Sequence, residues 1–293
     1  MLKLALCVAI ALPLMRAADA QPVLTSVVRI VAAENFYGDV AQQLTGPRAA
    51  VTSVISNPDQ DPHLFEASPS VARELAAASI VVYNGADYDP WMPKLLAASR
   101  SAGRKVIVVA NLVHKNSGDN PHIWYEPTTM PVYAKALAAT LAERDPANKA
   151  EYDQLLRAFL LSLQPLEAKV AKLRSNFAGT PVTATEPVFG YMAGALGFKM
   201  RNERFQLAVM NNAEPRPSDV IAFENDLRQR AVRLLFSNSQ ATDAAVQRLL
   251  RIAQQSSISV VGVTETEPPG QNYQTWIMSE LDAIDRALSN TRP

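Results

Sequence analysis

The sequence predicts an α/β protein made of two α/β lobes with parallel-type sheets, one on either side of a single long backbone helix. Two patterns carry that expectation. Short runs rich in β-branched residues, apolar almost throughout, alternate with stretches of helical spacing in both halves of the chain, as strands buried on both faces of a parallel sheet do. Between the halves lies one long helical pattern. A chain of 293 residues, 48% hydrophobic and 19% charged, is long enough for two compact domains or one large one.

In chain order, Val27 to Ala32, Ala50 to Ile55, Ser79 to Tyr83 and Lys105 to Ala110 read as buried strands. Asn35 to Leu44, Ser70 to Ala78 and Tyr88 to Ser99 read as the helices between them, with Ser68-Pro69-Ser70 and Asp89-Pro90 supplying helix-start chemistry. This is a βαβ series. From Ala147 to Phe177 apolar residues recur at steps of three and four with no Gly. Such a helix is about 45 Å long, and Pro165 inside it removes a hydrogen bond and bends it. A second series follows. Val182 to Thr185, Val232 to Ser237 and Ile258 to Thr264 read as strands; Pro187 to Leu196, Pro217 to Arg230, Asp243 to Gln255 and Tyr273 to Leu288 read as helices. Phe198 to Asn211 is expected to hold one strand and a loop. The halves share a texture without a sequence repeat. The expected division is a leader over 1–20, an N-terminal lobe over 21–146, a connecting helix over 147–178 and a C-terminal lobe over 179–293.

Met1-Leu2-Lys3, the apolar run Leu4 to Met15 and the small-x-small step Ala18-Asp19-Ala20 have the layout of a cleaved signal peptide. No later run reaches the ~20 apolar residues a membrane-spanning helix needs. Cys7, the only cysteine, falls inside that leader, and its apolar segment follows the thiol instead of preceding it, so lipid attachment there is not expected. A soluble periplasmic protein without thiols or disulfides is. The 28 basic and 28 acidic residues cancel, and removing the leader leaves the chain almost neutral. That balance gives no reason to expect nucleic acid or anionic lipid as a partner.

The chemistry-bearing residues are few. Of three histidines, His63 (Asp61-Pro62-His63-Leu64-Phe65-Glu66) and His122 (Asp119-Asn120-Pro121-His122-Ile123-Trp124) each follow a Pro, which restricts the local backbone. Both lie beyond the carboxyl ends of strands, where open α/β sheets collect ligands. His114 precedes the polar loop Lys115-Asn116-Ser117-Gly118 and reads as a surface residue. In the second half, Glu186 directly follows the strand Val182 to Thr185, where it could also cap a helix and be favoured in its ionised form. Glu265 and Glu267 follow the strand that ends at Thr264; taken alone they read equally well as solvated loop charges.

Together these segments resemble the metal-binding solute-binding proteins of bacterial zinc- and manganese-uptake ABC transporters. The resemblance runs over nearly the whole mature chain. It is carried by Asp61-Pro62-His63-Leu64-Phe65-Glu66, Val81-Val82-Tyr83-Asn84-Gly85, Asn120-Pro121-His122-Ile123-Trp124, Thr185-Glu186 with Phe189-Gly190-Tyr191, Glu214-Pro215-Arg216-Pro217-Ser218, and Tyr273. It implies two α/β lobes on one backbone helix, with a single divalent transition-metal ion, Zn2+ or Mn2+, bound as cargo at the lobe interface by two ligands from each lobe. Carried over, these are His63, His122, Glu186 and an acid after a late strand. Glu265 fits that last position through Val263-Thr264-Glu265, and Glu267, in Glu267-Pro268-Pro269-Gly270, is the alternative. Zinc-type members usually have His at the third position, and many carry a long His- and acid-rich loop before the second His. Here Glu186 and the short segment 114–119 stand instead.

Two neutral imidazoles and two carboxylates cancel the charge of a divalent ion, and added oxygen donors shift preference toward harder ions such as manganese. The expected function is capture of the ion and delivery to ABC permease membrane subunits by a monomer with no catalytic residues. The competing readings are an exported metal-dependent hydrolase, with an open coordination position and Glu267 as base, and a binding protein for a different small solute in the same cleft.

Overall fold

The computed structural model describes residues 27–57, 65, 68–240 and 244–290. The expected leader, His63 with its Asp61-Pro62 neighbours, Leu64, Glu66, and the expected helix start at Asp243 lie outside the described residues.

Each half builds one four-stranded parallel sheet. In the N-terminal half the strands are β1 (Val28–Glu34), β2 (Ala49–Ile55), β3 (Ile80–Tyr83) and β4 (Lys105–Val108), and helices α1 (Asn35–Thr45), α2 (Pro69–Ala77) and α3 (Trp91–Ala98) connect them. α4 (Val109–Leu112) is a single turn and α5 (Thr129–Arg144) a long helix. α6 (Lys149–Ser162) and α7 (Gln164–Phe177) lead into the C-terminal half. That half comprises β5 (Pro181–Ala184), α8 (Gly190–Ala195), β6 (Lys199–Arg201), α9 (Glu203–Met210), α10 (Pro217–Arg228), β7 (Leu234–Asn238), α11 (Ala244–Gln255), β8 (Ser259–Val263) and α12 (Tyr273–Asn290).

The sheet orders are β2-β1-β3-β4 and β6-β5-β7-β8, with every pairing parallel. In both sheets the order reverses beside the first strand of the half, and at such a switch point two adjacent loops leave in opposite directions and open a crevice. The central strands are buried along most of their length, β3 as far as Val82 and β7 throughout. That double-sided burial is why they appear in the sequence as unbroken apolar runs.

The expected central helix is present with an interruption. α6 ends at Ser162 and α7 begins at Gln164, with Leu163 between them still in helical conformation. Pro165, in the first turn of α7, has no amide proton for the hydrogen-bond ladder, and its ring crowds the carbonyl four residues back. α6 packs on α1 and α5, and α7 packs on α12, so the two segments serve different halves. Among the described residues no helix is long and apolar enough to cross a membrane.

Four local expectations shift. The strand expected over Lys105 to Ala110 stops at Val108, where its pairing with Tyr83 ends; the Ala110 amide then bonds the Asn84 carbonyl at 2.8 Å and the chain coils into α4. Phe198 to Asn211 holds the expected strand, but Asn202 in a left-handed conformation turns the chain into α9 where a loop is expected. Asp89 does not cap α3; its carboxylate turns back onto the Asn84 and Gly85 amides at 2.6 and 2.9 Å. The sequence reading assigns no element to α5, whose buried face includes Ala134 and Ala138 beside Tyr133, Leu137 and Leu141.

One hydrophobic core runs through both halves. Its spine is aromatic: Phe36 meets Trp124 at 4.6 Å between ring centroids, Tyr125 meets Phe189 at 5.0 Å and Trp276 at 5.6 Å, and Phe189 meets Phe236 at 4.8 Å. Edge-to-face and tilted contacts of this kind add specificity to the area they bury. They weld the lobes along the floor of the cleft.

Candidate metal centre

The candidate residues gather above that floor. His122 follows Pro121 in the loop after α4 and is 1% exposed. Two groups fix its ring. Asn84, buried at the end of β3, donates from Nδ2 to the Pro121 carbonyl at 2.9 Å and accepts from the Tyr37 hydroxyl at 2.6 Å, which anchors the loop. Asn120 holds the imidazole: its Nδ2 donates to the Pro187 carbonyl at 2.8 Å, so its Oδ1 faces His122 and lies 2.7 Å from Nδ1. With Oδ1 as the acceptor, Nδ1 carries the proton and Nε2 presents its lone pair, the arrangement a metal-binding imidazole requires. Nε2 makes no hydrogen bond among the described residues.

What Nε2 faces belongs to the other lobe. Glu265 Oε2 stands 3.5 Å from it. Glu265, 6% exposed, follows β8, and its backbone amide donates to Gln240 Oε1 at 2.6 Å. Glu186 follows β5 at the start of the turn Pro187–Phe189 and makes no side-chain capping bond there. Its Oε2 accepts from Asn238 Nδ2 at 2.6 Å, and the same nitrogen donates to Glu265 Oε1 at 2.7 Å. The structure therefore brings His122, Glu265 and Glu186 together across the lobe interface. Among the described residues no group of three or more His, Cys, Asp and Glu side chains is gathered tightly enough to hold a metal ion, and the fourth expected donor, His63, lies outside them.

Glu267 is placed differently. Its amide and carbonyl are bound by the Asn35 side chain at 3.0 and 2.7 Å. Its carboxyl is desolvated and near Asp39, which pushes its pKa up to about 9. His114 is exposed in a left-handed turn.

Three more cross-lobe bonds surround the cluster. The Tyr88 hydroxyl donates to the Glu265 carbonyl at 3.3 Å, that of Tyr191 to the Asn120 carbonyl at 2.8 Å, and that of Tyr273 to the Trp124 carbonyl at 2.9 Å. Gly190 permits the Asn120 contact, because a Cβ there would sit 3.0 Å from Asn120 Nδ2. Below them Glu280 of α12 is fully buried. Its Oε1 lies 2.9 Å from the Tyr125 hydroxyl and accepts from Trp276 Nε1 at 3.0 Å and from the Thr264 amide at 3.3 Å. Burial raises its pKa to about 8. Sequence reasoning quoted Asn84 and Asn120 within motifs without giving them a role, and passed over Asn238 and Glu280. The first and third carry one visible signal, an amide side chain where an apolar strand ends.

Residues 30–287 match the family described as "ZnuA: Zinc-uptake complex component A periplasmic". The chain belongs to this family. It is accordingly the extracytoplasmic solute-binding component of a metal ABC importer and not an enzyme. Among curated members it is 24% identical over 284 residues to the metal ABC transporter substrate-binding lipoprotein ScbA of Streptococcus cristatus, covering 90% of each chain. It is 23% identical over 284 residues to the manganese ABC transporter substrate-binding lipoprotein PsaA of Streptococcus anginosus, covering 89% of each. Its fold is that of the periplasmic zinc binding protein TroA from Treponema pallidum, with a TM-score of 0.76 at 20% identity over 89% of this chain and 99% of that one. The Mn-bound periplasmic metal binding protein from Candidatus Liberibacter asiaticus superposes with a TM-score of 0.70 at 20% identity, over the same shares of the two chains.

Proposed function

We propose that this protein captures one divalent transition-metal ion, Zn2+ or Mn2+, in the periplasm and hands it to the membrane permease subunits of its importer. His122 Nε2 and the Glu265 and Glu186 carboxylates are the ligands from the described residues, and His63 completes the set. The observation that carries this reading is the buried Nε2 of His122, which makes no hydrogen bond among the described residues and faces a carboxylate 3.5 Å away across the lobe interface. A cation between the imidazole and the carboxylate would be bound by both, a donor pair suited to a divalent transition metal.

The division of labour follows the expected boundaries: a lobe over 21–146, a connector over 147–178, and a lobe over 179–293, with the leader over 1–20 directing export. The ion bridges the lobes, and the bridged form is what the permease recognises. The shared aromatic floor argues for a small rearrangement at the mouth of the cleft in place of wide closure. Glu267, whose backbone is held by Asn35, stays the alternative to Glu265 as the fourth ligand.

The test is metal analysis of untagged protein purified without added metal, followed by calorimetry with Zn2+ and Mn2+. Wild type and His114→Ala should bind one ion tightly, while His122→Ala and His63→Ala should lose tight binding. Equal retention in all three variants would sink the assignment.

A further inference from the structure

Asn238 is the last residue of β7, 5% exposed and paired in register with Val263 of β8. It sits between the strand ends that carry Glu186 and Glu265, at the switch point of the C-terminal sheet. Its amide can point only one way. Oδ1 accepts from the Gln240 backbone amide at 3.0 Å, and the Asn238 backbone amide donates to Thr185 Oγ1 at 3.1 Å. Both hydrogens of Nδ2 are thereby turned to the two glutamates, one to Glu186 Oε2 and one to Glu265 Oε1.

We propose that Asn238 is a metal-specificity residue that engages one oxygen of each glutamate and so restricts each to a single oxygen donor toward the ion. The inference rests on the reading of Glu186 and Glu265 as ligands. A carboxylate can bind a cation through one oxygen or both. The short bonds from Nδ2 hold one oxygen of each glutamate on the amide, while the second oxygen of Glu265 is turned to His122 Nε2. With two imidazoles the shell then closes at four donors, the number zinc prefers; manganese gains from the additional oxygens that two-oxygen binding would supply. The amide also explains how two carboxylates share a buried site before the ion arrives, since one uncharged donor bridges them without adding charge. An aspartate at the same place would put a third carboxylate against them.

The experiment uses the full mature chain with Asn238→Ala and the nearly isosteric Asn238→Leu, each checked for a wild-type melting transition in the absence of metal. Zn2+ and Mn2+ affinities are measured by competition with a chromophoric chelator, and the first shell of the Mn2+-loaded protein by X-ray absorption. The ratio of zinc to manganese affinity should fall by about tenfold or more in both variants, the size of effect expected for a group that orients metal ligands. The manganese shell should gain oxygen. An unchanged ratio in both variants overturns the proposal, even if both affinities drop together. Glu186→Gln and Glu265→Gln, measured alongside, separate the two readings. If neither weakens either metal, the ligand assignment itself falls; if both do while the Asn238 ratio holds, only the specificity role falls.

Discussion

The two lobes use the same strand order, yet the crevice beside the first strand is filled differently in each. In the C-terminal sheet the loops at that point carry Glu186 and Asn238, and the site opens there. In the N-terminal sheet the equivalent place holds Glu34 at the end of β1 and Asp89 after β3, two buried acids turned to each other. Neither oxygen of Glu34 meets a donor among the described residues. Burial and the neighbouring Asp89 hold the Glu34 carboxyl well above the usual carboxylate range, while Asp89, bound by two backbone amides, rises to about 6. Burial thus favours the protonated form of both acids, of Glu34 more than of Asp89. The N-terminal lobe puts that pair at its switch point, while His122 comes from the loop after α4, anchored on Asn84 at the end of β3. Like topology thus places switch points alike, while the residues at the strand ends differ in what they put there.

The contrast can be broken by removing one acid from each lobe. Glu186→Gln takes a charged ligand from the proposed shell and should weaken metal binding by about 1000-fold, roughly 4 kcal/mol. Glu34→Gln replaces a carboxyl whose burial favours the neutral form, so binding titrated by calorimetry should stay within about twofold of wild type. A large loss from Glu34→Gln would mean that the crevices are not divided in this way. Next in size is the orienting group on the histidine side. Asn120→Ala leaves every ligand in place but frees the imidazole tautomer, and chelator competition should show a loss of about 10- to 100-fold.

A separate effect is on stability instead of binding. Glu280 has a folded-state pKa of about 8 against about 4.3 for an ordinary glutamate. Between those values the native protein holds a proton that the unfolded chain has lost. Its contribution is complete below the unfolded pKa, is lost as pH rises toward the folded one, and levels off above it. Urea unfolding of the metal-free protein between pH 5 and 9 should show that decline in wild type and a shallower one in Glu280→Gln. Parallel curves would remove Glu280 as the source.

Much of this was legible in the sequence because burial leaves a strong mark. The strands of both sheets lie close to where apolar runs predict them, since parallel strands are covered on both faces. α5 escaped notice because its inward face includes Ala134 and Ala138, which bury well but contrast weakly with a polar background. His122 stood out through its Pro-His setting. The amides around it did not, because Asn in a loop is also a common turn former, and only the packed structure shows Asn120 bonded to His122, and Asn238 to Glu186 and Glu265, instead of facing solvent. Glu265 and Glu267 are two positions apart in an acidic loop and equivalent on paper. In the structure their surroundings differ: Asn35 holds the Glu267 backbone and Asn238 the Glu265 side chain.

The central claim is that one ion is shared by imidazoles of the first lobe and carboxylates of the second. X-ray absorption at the zinc edge of the loaded full-length mature protein tests it directly. The account predicts two imidazole nitrogens with carboxylate oxygens around a single zinc, one imidazole signal lost in His122→Ala and none in His114→Ala. An imidazole count unchanged by His122→Ala would contradict it.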